Sequence, residues 1–548
     1  MLKMSRILLV LLLAINVFLA GFYLNQKQGW HVDEIFSYGH ANSTQGAFLT
    51  EDVDSFFVDK KTDLHHKWLK GKVFHDYLTT QEDERFRYEH ITKNLQKSVH
   101  PPLFYYLLHT VCSLMPDEFL PWQAGGINLF FFMLTLVAFY ALSKLFLKDE
   151  YLAMIAVFLW GFSTAGMATA VFLRMYMLQT FFAVCLIYEV LKMLIENEAS
   201  KGRLFLIFLY ATLGNLTQFS SLVFAFIVTL VSGVILLYRK NFKLWLKFSL
   251  MMLLSAVALF AIYPEAYGVL FNSARGEESV SKINDFWAHL SSLWLAVLYS
   301  NSPSQMFEIY FVLLFGIKKV ADVFLLGLMV VFFFIAYLRK TELSKAFLPL
   351  VVMLVLMTIY LSFMMPDMGV YNARYYMLLM PAAALIAVYV ATIVFKAFGV
   401  HKMWVYCLMG MGIGIVSVFL QSDFKHNAFL VPQTQETITA NEALKNKRIV
   451  VKTPVSAVYD LFSVLAKADK VYIARENDNI LPTLFKADFV LKYNSYATLY
   501  TPVGKMKACF FCIPKPKPLL RAERKRLKYV SSYRAGVINF DLYEVNKK

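Results

Sequence analysis

The feature that most constrains this chain is a series of apolar runs, each close to the 18–20 helical residues that a bilayer core of roughly 30 Å requires. They cover residues 5–24, 122–146, 151–171, 175–195, 203–219, 220–238, 243–264, 320–338, 346–364, 375–397 and 402–420. So many spans of this length cannot form a soluble core. The expected class is therefore a polytopic α-helical membrane protein of about eleven spans, the first an uncleaved, signal-like segment. Two shorter runs, 101–115 and 306–316, are read as re-entrant or interfacial helices.

A net charge of +16 would suit a nucleic-acid partner, but the cations fall mostly where membrane topology explains them. Lys3 and Arg6, Lys144 and Lys148, Lys192 to Arg203, Arg239 to Lys247, Arg339 to Lys345, and Lys396 with Lys402 occupy alternate short connections. Positive charge marks the cytoplasmic side, so no nucleic acid is expected. The N-terminus is expected inside and the C-terminus outside a bacterial-type plasma membrane.

Three polar segments then face outward: a first loop at 25–100, a second at 265–305, and a tail. The first loop is expected to lay amphipathic helices on the membrane surface, for instance around 79–95. The tail changes texture. Its runs 448–452, 470–474, 488–492 and 537–545 are rich in β-branched and aromatic residues and flank a helix-like stretch at 457–466. The chain is accordingly divided into a membrane domain, 1–422, and a small extracytoplasmic α/β domain, 423–548.

Candidate reactive groups gather at the outer ends. Asp33 and Glu34 follow the first span within Gly29-Trp30-His31-Val32-Asp33-Glu34-Ile35-Phe36-Ser37-Tyr38. A carboxylate partly desolvated by such rings can take a proton from a hydroxyl. The first loop ends in His100-Pro101-Pro102-Leu103-Phe104-Tyr105, where two prolines start a helix whose N-terminus suits an anion. Three arginines run against the positive-inside pattern: Arg174 in Leu173-Arg174-Met175-Tyr176, Arg275 in Ala274-Arg275-Gly276, and Arg374 in Ala373-Arg374-Tyr375. Guanidinium groups grip phosphate oxygens two at a time.

Other signals are bland. Cys112, Cys185 and Cys407 read as small core residues, and Cys509 and Cys512 lack the second ligand pair that zinc needs. The basic run 521–528 reads as a solvated helix face. Walker and dinucleotide motifs are absent, and neither metal nor cofactor is expected.

Taken in order, Asp33-Glu34, His100-Pro101-Pro102, Arg174-Met175-Tyr176, Arg275-Gly276 and Arg374-Tyr375 resemble the motifs of the GT-C membrane glycosyltransferases. The likeness is narrower to family 39, with the protein O-mannosyltransferases and the lipid A aminoarabinose transferase, and covers roughly residues 1–420. The resemblance implies a polyprenyl-phosphate sugar as donor and a glycan, lipid or protein hydroxyl as acceptor, with membrane lipids around both. It makes Asp33 the general base and gives Glu34 a part in placing the acceptor. His100, Arg174, Arg275 and Arg374 fall on the donor phosphate, and Tyr105, Tyr176 and Tyr375 on the substrates. Where many relatives carry a second Asp after the first arginine, this chain has Tyr176 and Gln179. The competing expectation is a lipid or polysaccharide transporter or flippase, which would show charges within spans and broken helices in paired halves.

Overall fold

The computed structural model describes residues 4–49, 64–98, 100–272, 281, 303–315, 344–364, 370–424, 428–496, 498–501, 504–507, 518–535 and 538–547. The expected span 320–338, Arg275, most of the second loop, Cys509 and Cys512 lie outside them. The chain divides into two compact units, Met1–Tyr23 with Gly126–Lys425 and Leu24–Gly125 with His426–Lys548.

The first unit is helical. Among the described residues, seven helices are long and apolar enough to cross a membrane: Met4–Asn25, Pro121–Leu147, Tyr176–Glu196, Ser220–Tyr238, Phe242–Ile262, Arg374–Ala397 and Lys402–Ser422. Their sides carry exposed Leu, Ile and Phe residues, among them Leu11, Phe18, Phe226, Leu253 and Val418, as lipid-facing surfaces require. The chain is a multi-pass membrane protein. Helix Phe347–Met364 covers a further expected span, whereas Lys201–Asn215 stops at 15 residues.

The expected span 151–171 is not one straight helix. It is two helices, Glu150–Gly161 and Thr164–Val171, bent by 59°. Ser163 caps the second, its Oγ accepting from Gly166 N at 3.1 Å. A Cβ on Gly166 would lie 2.3 Å from the Trp160 carbonyl oxygen, so the bend requires glycine there. A break in a membrane helix frees carbonyls that neighbours must satisfy. Gln421 Nε2 donates to Phe162 O at 2.6 Å, and Asn128 Nδ2 to Phe172 O at 2.6 Å.

In this unit several cations of the basic connections pair with acids. Lys402 pairs with Asp149 at 2.6 Å, Lys144 with Glu150 at 2.6 Å, and Arg203 with Glu196 at 2.5 Å.

The second unit joins the first loop to the tail. Its main sheet uses strands β1 Trp68–Lys70, β2 Arg448–Lys452, β3 Lys470–Ala474, β4 Phe489–Tyr496, β7 Leu527–Ala535 and β8 Ile538–Val545, while β5 Thr498–Thr501 and β6 Gly504–Lys507 pair separately. The order is β1-β3-β2-β4-β8-β7, with β3, β2 and β4 parallel and the others antiparallel to their neighbours. Because β1 comes from the first loop, the tail does not complete its sheet alone. The four runs read as β-rich in the tail are β2, β3, β4 and β8. The basic run 521–528 is a helix, Arg521–Lys525, leading into β7. Glu523 turns inward to meet buried Lys452 at 3.1 Å.

Three further first-loop helices, Val32–Asn42, Lys72–Leu78 and Glu89–Gln96, pack in this unit. Within the stretch 79–95, a 3-10 turn at Glu82–Glu84 precedes the start of helix Glu89–Gln96. Asn94 donates from Nδ2 to His40 O and Ser43 O at 3.2 and 2.8 Å, which fixes Glu89–Gln96 against Val32–Asn42.

Candidate active site

In the second unit, Asp33 and Glu34 occupy the first turn of helix Val32–Asn42. His31 is the N-cap: its Nδ1 accepts from Asp33 N at 3.1 Å, while Glu34 Oε2 accepts from His31 N at 2.9 Å. This reciprocal arrangement satisfies two otherwise orphaned donors. The two acids then part company. The Asp33 side chain keeps 18% of its surface exposed, at a helix end whose dipole favours negative charge.

Glu34 is fully buried, 3.0 Å from an equally buried Lys27 Nζ. Burial pulls the Lys27 ammonium below its ordinary value, and the Glu34 carboxylate opposes that shift. The part expected of Glu34 in placing an acceptor would have to be played from within this network. Both its oxygens are engaged within the fold, one by Lys27 Nζ and one by His31 N, at the start of the helix that carries Asp33.

The face of this helix that carries Asp33 continues at Phe36, Ser37 and His40, three, four and seven residues on. Ser37 Oγ donates to Asp33 O at 3.1 Å. The Phe36 and His40 rings stack at 6.0 Å, His40 lies 5.9 Å from Tyr105, and Tyr105 lies 6.3 Å from His100. A row of rings thus connects the Asp33 helix to His100, which precedes helix Leu103–Leu114. Tyr105 is fully buried and acts as the link in this row. His40 and Lys27 were missed in the sequence. A helical-spacing search from Asp33 would have found His40; nothing local marks Lys27.

In the first unit, Arg174 lies between helices Thr164–Val171 and Tyr176–Glu196, and Arg374 in the 3-10 turn Val370–Leu379. Both are nearly buried, at 4% and 5% exposure. Arg174 N donates to Phe172 O at 2.7 Å, the carbonyl that Asn128 also binds. The Arg374 guanidinium sits over the Tyr375 ring at 5.1 Å. Tyr176 meets Tyr375 edge to face at 6.0 Å, so the structure brings the two arginine segments together. Arg174 and the Glu196–Arg203 pair mark opposite ends of Tyr176–Glu196, a rise of about 30 Å. Gln179 donates to Ser220 and Ser221 Oγ at 2.8 and 3.0 Å. Among the described residues, no group of three His, Cys, Asp or Glu could hold a metal ion.

No protein-family model matches the chain, and no curated protein matches it. Among solved structures it is similar to ArnT from Cupriavidus metallidurans bound to undecaprenyl phosphate, at 10% identity over 98% of each chain and a TM-score of 0.49. It is similar to the same protein in the apo state, at 10% identity over 83% of this chain and 85% of that one, TM-score 0.44. A third similarity is to the archaeal oligosaccharyltransferase AglB from Archaeoglobus fulgidus in complex with an inhibitory peptide and a dolichol-phosphate. There the identity is 11%, over 93% of this chain and 75% of that one, with a TM-score of 0.46.

Proposed function

We propose that this chain is a membrane glycosyltransferase that moves a sugar from a polyprenyl-phosphate donor to an acceptor hydroxyl on the outer side of the membrane, inverting the anomeric centre. The observation that carries the reading is the division of labour between adjacent acids. Glu34 is neutralised within the fold, while Asp33 is held at a capped helix start with part of its carboxylate exposed. A general base needs that combination of fixed geometry and access.

In the proposed reaction Asp33 takes the proton of the acceptor hydroxyl as its oxygen bonds to the anomeric carbon. The carbon–oxygen bond to phosphate breaks, and the electron pair leaves with the phosphate. Arg174 and Arg374 balance the charge on that leaving group, with Arg275 and His100 proposed for the same task. Tyr176 and Tyr375 are proposed to bound the sugar, because they carry the arginine segments. Tyr105 is proposed to act on substrate through His100.

The test is transfer of radiolabelled sugar from polyprenyl-phosphate donors to candidate acceptors by the purified chain and by Asp33→Asn. Removing a general base should lower kcat by about 10²–10⁴-fold. No transfer from any donor would sink the proposal, and equal transfer by Asp33→Asn would remove Asp33 as base. The bent helix pair at Gly161–Thr164 is the one feature that speaks for a transporter. That reading asks for a second break in a matching half, and among the described residues there is one such pair. Movement of labelled lipid across vesicles without a chemical product would favour it.

A further inference from the structure

Residues 27–31 and 429–433 are about 400 positions apart in sequence, yet they are joined at almost every residue within the second unit. Lys27 Nζ donates to Phe429 O while pairing with Glu34. Gln28 N donates to Leu430 O at 3.2 Å, and Gln433 N returns a hydrogen bond to Gln28 Oε1 at 2.7 Å. A Cβ on Gly29 would stand 2.7 Å from Val431 Cγ1, so only glycine lets the two backbones approach this closely. Val431 itself holds a positive φ of 46°, in the region that a β-branched residue rarely adopts. The His31 and Phe429 rings meet at 6.1 Å.

The inner end of this seam is Lys27, whose buried ammonium binds the Phe429 carbonyl on one side and the Glu34 carboxylate on the other. Glu34 caps the helix turn that carries Asp33. A buried charge with two such partners is costly to strand, so movement of 429–433 passes through Lys27 to the first turn of helix Val32–Asn42.

We infer that Lys27 and segment 429–433 form a positioning device that fixes Asp33 in its working geometry, so that the tail governs the reactivity of the acid. The inference rests on the proposed reading of Asp33 as base. Lys27 is a positioning residue, since it acts through Glu34 and touches no substrate.

The experiment combines hydrogen exchange with transfer kinetics on the purified full chain. Lys27→Met should speed exchange in both 31–38 and 429–433. It should lower kcat by about 10–100-fold, the cost of a misplaced group, with KM for donor and acceptor within about twofold. Lys27→Arg, which keeps the charge, should recover most of the kcat. If Lys27→Met does not fold, Gln28→Ala carries the same test: it loses the bond from Gln433 N and should show the same paired exchange with a loss of about threefold.

Parent-like exchange in 31–38, or a rise in KM equal to the fall in kcat, overturns the inference. So does a failure of Lys27→Arg to outperform Lys27→Met. The exchange measurement stands apart from catalysis: coupled exchange in a parent chain that transfers no sugar would keep the mechanical link and remove the reading of Asp33 as base.

Discussion

The two units differ in the contacts that surround their charged candidates. Around Asp33, charge is answered by charge and by hydrogen bonds: Lys27 on Glu34, Glu34 on His31 N, and His31 on Asp33 N. Around Arg174 and Arg374, the contacts include rings and a turn of the main chain: Tyr375 beneath the Arg374 guanidinium, Tyr176 against Tyr375, and the Arg174 main-chain N–H on the Phe172 carbonyl. The difference follows from composition. A unit made of polar loops can spend an acid and a base on fixing a turn, whereas apolar spans offer mainly aromatic faces. An acid held by a network should fail when one partner is removed. A guanidinium set on a ring, as Arg374 is on Tyr375, should tolerate loss of a neighbouring ring better than a change in its own charge or shape.

The strongest break in this comparison is removal of an arginine. Arg374→Ala and Arg174→Ala should each lower transfer by about 10²–10³-fold, the usual cost of deleting one stabiliser of developing negative charge. Arg374→Lys should restore little, because an ammonium lacks the planar fork and its stacking on the ring. Steady-state kinetics against donor concentration would check this. Full activity in Arg374→Lys would mean that charge alone, and not geometry, is required there.

Acid should separate the units next. In the second unit His109 is fully buried beside His90, ring centroids 4.9 Å apart. Burial pushes the His109 imidazole down to about 4, with His90 adding to the effect, and burial lowers His90 as well. Both folded imidazoles refuse protons that the unfolded chain accepts. Stability should therefore be complete above about pH 6.5 and fall as pH drops toward 4, by up to about 3 kcal/mol for His109. Thermal unfolding followed between pH 7.5 and 4.5 should show this loss, and His109→Gln should flatten the slope. An unchanged midpoint across that range would mean that the pair is not held neutral.

What could be read in the sequence depended on whether the signal was local. Strands β2, β3, β4 and β8 stand out because β-branched and aromatic residues cluster in each. Strand β1 does not, since Trp68–Lys70 is three residues in a charged stretch and becomes a strand only by pairing with β3 across about 400 positions. Asp33 and Glu34 look equivalent as neighbours, but adjacent helical positions point about 100° apart, so one meets Lys27 and the other keeps access. The helix break at 162–163 was present as Ser163, a cap residue before Thr164, yet an apolar average over the window hides a single cap. The arginines were visible because they break the alternation of basic connections along the chain. That their segments meet through Tyr176 and Tyr375 was not, since nearly 200 residues separate the two rings.

The smallest effect sharpens the comparison most. Tyr176→Leu keeps the buried volume roughly intact but removes the edge-to-face contact with Tyr375, a geometry worth about 0.5–1.5 kcal/mol. If rings merely support the Arg374 segment, stability should fall by about that amount and kcat/KM by only a few-fold. The charge network around Asp33 offers no equivalent, because stranding Glu34 by removing Lys27 should cost about 3–5 kcal/mol. Measuring both variants by denaturant unfolding, alongside transfer, places the two units on one scale. A Tyr176→Leu loss as large as that of Lys27→Met would show that the aromatic contact carries structure as tightly as the buried ion pair does, and the distinction between the two units would fall.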